Sequence, residues 1–75
     1  MRVEWTPSFE TQLRALPHWR TAAQVCRAVV VFAETGAGDV RTVRVGSYSL
    51  RVAGYRVRFE VEGAALIVWG VFRQG

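Results

Sequence analysis

An α+β fold is predicted for this 75-residue chain, with a helical hairpin packed on a small, mainly antiparallel sheet in the order β-α-α-β-β-β. Three observations predict it. Apolar residues recur at three- and four-residue spacing from Phe9 to Ala33, the period of a buried helix face. From Tyr48 to Val61 they alternate with polar residues, the period of a half-buried strand. Glycines and prolines such as Pro17, Gly36, Gly54 and Gly63 mark breaks and turns along the chain, and residues 1–75 read as one domain.

The first strand covers Met1–Trp5, where Val3 alternates with Glu4 and an aromatic closes the run. Thr6 suits a helix N-cap, and Pro7 suits the first helical position, where its missing N–H costs no hydrogen bond. A helix is expected over Pro7–Leu16 with Phe9, Leu13 and Leu16 as its buried stripe, and Pro17 stops it. The second helix runs from His18 to about Glu34, with Trp19, Ala22, Ala23, Cys26, Val29, Val30 and Ala33 inward and Trp19 anchoring helix to sheet. The β-branched run Val29–Val31 would also fit a strand, but the period of the whole segment favours a helix. Gly36-Ala37-Gly38-Asp39 supplies its C-terminal stop. These glycines follow a helix, whereas a phosphate-binding loop needs them between a strand and a helix start.

Val40–Val45 and Tyr48–Val52 are expected to form one strand, or two pieces of one broken at Gly46. Ala53-Gly54 turns the chain, Tyr55–Glu62 returns, Gly63-Ala64 turns it again, and Ala65–Phe72 forms the last strand. That strand is apolar on both faces, which predicts a central position or a face used by a partner. Trp69 is expected to share a face with Ile67, Val71 and Arg73, where burial under the helices competes with a stacking role on the basic side.

The hairpin from Tyr48 to Phe59 carries the functional clue. Alternation assigns Leu50 and Val52 to one face and Ser49 and Arg51 to the other; beyond the turn, Tyr55, Val57, Phe59 and Val61 oppose Arg56, Arg58, Glu60 and Glu62. A half-buried strand needs a polar side but not a guanidinium side, so the choice of arginine points to an anionic partner, RNA foremost. All ten basic residues are arginine. Residues 1–39 hold four against four acids and residues 40–75 hold six against two, so the net charge of +4 sits in the second half. A GC-rich genome would explain the missing lysine as well as function does, but it explains the clustering less well. Arg41 and Arg44, three apart, are expected to point to opposite sides, so at most one joins the basic face. Arg58, Glu60 and Glu62 are also compatible with a solvated face of weakly paired charges.

Other classes are disfavoured. Cys26 and His18 are single, so neither an internal disulfide nor a metal cluster is expected, and no cofactor is implied. Cys26 reads as a small hydrophobe and His18 as a turn or capping residue. No run approaches the roughly 20 apolar residues that cross a bilayer, and a soluble, cytoplasmic protein without a membrane partner is expected. Hydrophobic residues make up 51% of the chain, which predicts apolar surface for a partner or a second copy to cover.

The segments Tyr48-Ser-Leu-Arg-Val52, Tyr55-Arg-Val57 and Ile67-Val-Trp-Gly-Val-Phe-Arg73, with Glu4–Phe9, Leu13 and Leu16-Pro17, resemble the RelE/ParE superfamily of bacterial toxin–antitoxin toxins. The likeness covers nearly the whole chain, with Ala53 where the family usually has glycine. It implies a RelE-like fold with a basic concave sheet face and a cognate antitoxin that holds the protein inactive. For the RelE branch it implies a metal-independent endoribonuclease that cleaves mRNA on the ribosome and inhibits translation, the ribose 2′-OH attacking the adjacent phosphate. Arg56 matches the active-site arginine after tyrosine, and Arg73 matches the arginine closing the last strand. Arg51, expected close to both, would grip RNA phosphate together with Arg58 and Arg44. Tyr48 and Trp69 are candidates for proton transfer or stacking. Two departures stand out. Ser47 and Ser49 replace basic residues of such nucleases, and the sequence stops at Gly75 without the segment that places an aromatic or histidine in the chemistry. A ParE-like poison of DNA gyrase and a degenerate, non-toxic interaction module therefore stay as alternatives.

Overall fold

Thr6 and Pro7 start the first helix as their chemistry dictates. The Thr6 hydroxyl accepts a hydrogen bond from the Phe9 N–H at 3.2 Å and donates one to the Val68 carbonyl at 2.6 Å, tying the helix start to the last strand. A computed structural model describes residues 1–74. Its elements are β1 (Arg2–Trp5), α1 (Pro7–Arg14), α2 (Trp19–Thr35), β2 (Asp39–Arg44), β3 (Ser47–Val52), β4 (Tyr55–Glu62) and β5 (Ala65–Arg73). Gly75, on which the expectation about the end of the chain rests, lies outside the described residues.

The α+β class and the helical hairpin on a mainly antiparallel sheet are as expected, with one strand more. The segment read as one interrupted strand is a hairpin: β2 and β3 pair antiparallel, with Arg44 opposite Ser47 and Val45-Gly46 as the turn. Gly46 makes this possible by adopting φ +79°, a conformation that favours glycine. The five strands lie in the order β1-β5-β4-β3-β2, with β1 parallel to β5 and every other pair antiparallel. The apolar β5 is thus an inner strand, in keeping with its pattern.

Both helices cover one face. Phe9 of α1 and Val25, Val29 and Ala33 of α2 pack on Leu50, Val57, Phe59, Leu66, Val68 and Val71. Phe59 is the hub, its ring 5.4 Å from Phe32 and 5.5 Å from Tyr48. α2 ends at Gly36, which takes φ +76° and donates its N–H to the Phe32 carbonyl at 2.8 Å. Of the predicted stripe, Val29 and Ala33 are buried and Ala22 and Cys26 half-buried, but three residues differ in place. Val25 is fully buried, while Ala23 and Val30 are exposed and Trp19 is 76% exposed, with the Arg20 guanidinium 5.4 Å from its ring centre. Trp19 does not anchor helix to sheet; the core of α2 is made by Val25, Val29 and Ala33. Among the described residues no helix is long and apolar enough to cross a membrane, and no cluster of potential metal ligands occurs.

Candidate functional site

Directly paired residues of neighbouring antiparallel strands share a face, so the register sorts the uncovered side of the sheet into rows. One row is Asp39, Arg51, Arg56 and Phe72; the next is Arg41, Ser49, Arg58 and Gly70; the third is Arg44, Ser47, Glu60 and Ile67. Five arginines therefore occupy one surface. Arg51, Arg56 and Arg58 stand where alternation put them.

Two bulges set the rest. The register slips between Thr42 and Arg44, so Val43 is the extra residue and both Arg41 and Arg44 reach the open face, opposite Ser49 and Ser47. This corrects the expectation that only one of them would. A second slip leaves Trp69 unpaired between Val68, opposite Phe59, and Gly70, opposite Arg58. Trp69 turns to the open side, where its Nε1–H donates to Glu60 Oε1 at 3.1 Å. Beyond it the alternation is inverted. Phe72 joins Trp69 on the open face, whereas Val71 enters the core and Arg73 lies opposite Tyr55 on the helix side. Arg73 is accordingly separated from Arg56 and Arg51, and Trp69 shares no face with Val71 or Arg73. Tyr48 stacks on Phe59 at the core and is not brought to the arginine face.

Small residues make the floor. Ser47 and Ser49 are 5% and 8% exposed. Gly70 continues the low floor toward α1, whose Gln12 Oε1 accepts the Val71 N–H at 2.8 Å along the edge of β5 that β1 leaves free. These elements enclose a cavity of about 270 Å³ lined by Gln12, Arg44, Ser47, Arg58, Glu60, Trp69 and Phe72. Trp69 and Phe72 are 46% and 48% exposed beside it. Buried in the same face are two polar atoms without a hydrogen-bond partner among the described residues, Arg58 Nε and Ser49 Oγ. An unsatisfied buried donor costs about 1–3 kcal/mol, a cost that an anion accepting from Arg58 would remove.

The charges are largely free to meet a ligand. Among the described residues the ion pairs are Arg2–Glu4, Arg14–Glu10 and Arg51–Asp39, the last at 3.7 Å. Gln74, with its amide oxygen turned to Arg51, accepts from Nε at 2.9 Å and Nη2 at 2.8 Å, so Arg51 is held from two sides. Arg41, Arg44, Arg56 and Arg58 have no carboxylate partner among the described residues. Arranged on a rigid sheet, these guanidiniums can bind successive phosphates, and the aromatics along β5 can stack on bases.

A second depression, of about 520 Å³, lies on the helix side between α2 and β3. Ala28, Val31, Leu50 and Val52 give it an apolar lining, and Arg27, Arg51 and Asp39 border it. Cys26 is apart from both, and partial burial pushes its thiol pKa up. His18 caps α2 without a side-chain hydrogen bond.

No family model matches the sequence, and no curated protein matches it. Solved structures do. The chain superposes on a chain of the RelB–RelE antitoxin–toxin complex of Methanococcus jannaschii with a TM-score of 0.77 at 17% identity, covering 95% of this chain and 89% of that one. A chain of the chromosomal ParDE system of P. aeruginosa gives 0.77 at 19% identity over 100% and 97% of the two chains. One from the RelBE2 toxin–antitoxin complex of Mycobacterium tuberculosis gives 0.67 at 22% identity over 96% and 95%. At these identities the likeness is one of fold, and the fold is RelE-like.

Proposed function

We propose that this chain, with its RelE-like fold, is the toxin of a toxin–antitoxin pair and cleaves mRNA on the ribosome, acting in the cytoplasm and inhibiting translation. The observation that carries the reading is the row arrangement on one open sheet face of Arg41, Arg44, Arg56 and Arg58, none ion-paired among the described residues, beside a cavity that Arg44 and Arg58 line. Cleavage by the 2′-OH needs charge neutralisation at a pentavalent phosphate, and preorganised guanidiniums supply it. Arg56 is the main phosphate stabiliser in this reading, with Arg58, Arg44 and Arg51 along the RNA backbone. Arg73, on the helix side, acts at most outside the reacting centre. The cognate antitoxin covers apolar surface on the helix side and offsets the arginine charge.

The test is induction of the chain in cells without the antitoxin, with growth followed and mRNA 5′ ends mapped. Growth arrest with new ends inside translated codons is expected. Arg56→Ala should remain folded and lose toxicity, with cleavage reduced about 10²–10³-fold, the usual effect of removing one such electrostatic group. Toxicity retained by folded Arg56→Ala would exclude this mechanism. A second reading, a ParE-like poison of DNA gyrase, is favoured by the buried Ser47 and Ser49 where nucleases of the family carry basic residues. It predicts arrest with intact messages and damaged DNA, whereas a degenerate module would leave growth unimpaired.

A further inference from the structure

We infer that Glu60 is the proton acceptor for the attacking 2′-hydroxyl, in the cavity that α1 closes against β4 and β5; the inference rests on the ribonuclease reading above. Among the described residues Glu60 is the only carboxylate lining that cavity. It stands in one row with Arg44 and Ser47, and Arg58 lies two residues away on the same face of β4. A carboxylate so close to two guanidiniums would be expected to pair with one, yet it forms no ion pair with either. Its Oε1 instead accepts from Trp69 Nε1–H at 3.1 Å. That bond runs across the open face, which Trp69 shares with Ile67, the partner of Glu60 in the sheet. It fixes the carboxylate and leaves Oε2 without a partner among the described residues.

The complementary half of the site is Arg58, whose buried Nε–H has no acceptor among the described residues. Residues i and i+2 of a strand stand about 6.5–7 Å apart on one face, room for the reacting phosphate on Arg58, next to Arg56 on its other side along the same face of β4, beside a ribose hydroxyl on Glu60. Trp69 and Phe72 then flank the nucleotide along β5 with exposed rings on which bases can stack. In the reaction the 2′-O–H bond breaks, its proton passes to Glu60 Oε2, and the 2′-oxygen bonds to the adjacent phosphorus. The bond from phosphorus to the 5′-oxygen breaks, and water gives that oxygen a proton. The products are a 2′,3′-cyclic phosphate and a 5′-hydroxyl; Glu60 returns its proton to solvent, and nothing is oxidised or reduced.

Single-turnover cleavage of mRNA on programmed ribosomes, with ribosome binding and thermal unfolding measured alongside, tests this on wild type, Glu60→Gln and Trp69→Phe. The amide of Glu60→Gln still accepts from the indole, so it removes the base and keeps the contact. Its rate should fall about 10²–10⁴-fold with binding within about twofold of wild type, while Trp69→Phe should lose less than about tenfold. Glu60→Gln within about threefold of an active wild type would overturn the role of Glu60 and leave the nuclease reading standing. Equal losses in both variants would also overturn it, making Glu60 a support for Trp69. A wild-type chain that binds ribosomes without cutting would remove the nuclease reading, and this inference with it.

Discussion

A methyl group on Gly70 would stand 2.7 Å from Gln12 Oε1 and 2.8 Å from the Phe72 ring, closer than real contacts allow. Both neighbours are ends of movable side chains, so the strain is relieved by shifting them, and the cost is what they were doing. Gln12 would leave the Val71 N–H, a loss of about 1 kcal/mol. Gly70→Ala should therefore destabilise by roughly 1–2 kcal/mol, Gln12→Ala by about 1, and the double variant by less than their sum, because both remove one hydrogen bond. Urea unfolding of the four proteins checks this; strict additivity would mean that Gln12 and Gly70 are not coupled. None of it was legible in the sequence, where Gly70 interrupts an apolar run without signalling what crosses it. The arginines of β3 and β4 were legible because those strands alternate without a break. The joint placement of Arg41 and Arg44 and the faces of Phe72 and Arg73 were not, since a bulge separates the first two and precedes the others, and one extra residue inverts every later side chain.

At the scale of elements, two of the sheet's three hairpins, β2–β3 and β3–β4, differ in how their turns are signalled. Between β3 and β4 the turn residues Ala53 and Gly54 both have positive φ, +52° and +82°, the pair of conformations that matches the right-handed twist of the strands. Glycine adopts this freely, whereas alanine pays about 1 kcal/mol in the left-handed region. Ala53→Gly should stabilise the protein by about 0.5–1 kcal/mol, the relief being partly offset by the greater freedom of glycine in the unfolded chain. A rise in the urea midpoint at constant slope is the expected result, and a fall would mean that Ala53 packs against something that glycine loses. The Ala-Gly dipeptide announced this turn in the sequence. The β2–β3 turn was hidden because Val45, fully exposed at its tip, looks like a strand residue, and Gly46 alone marks the reversal. α2 was recognised by its period, and its buried stripe in part. Alternative apolar stripes run down its length, and contact with Phe59 and Leu50 selects the one through Val25 and Val29.

For the whole molecule, the sheet divides labour between its sides. Helices and an apolar depression occupy one, and guanidiniums over a floor of serine and glycine occupy the other. The charge asymmetry of the sequence foretold that a basic surface exists; its shape depends on strand order and on two bulges that composition does not encode. This arrangement makes a quantitative claim about Arg41. If the open face binds single-stranded RNA through Arg41, Arg44, Arg56 and Arg58, four phosphates are neutralised and their counterions released. The logarithm of the binding constant should then fall with the logarithm of salt concentration with a slope of about −3, from roughly 0.7 per phosphate. Arg41→Ala and Arg44→Ala should each make that slope shallower by about 0.7, because the bulge at Val43 puts both on the same surface. Had β2 run without its bulge, one of the two would face away and its loss would leave the slope unchanged. Fluorescence titration of a short unstructured RNA over a range of salt concentrations measures both variants, and an unchanged slope for either one would remove that arginine from the RNA-binding surface.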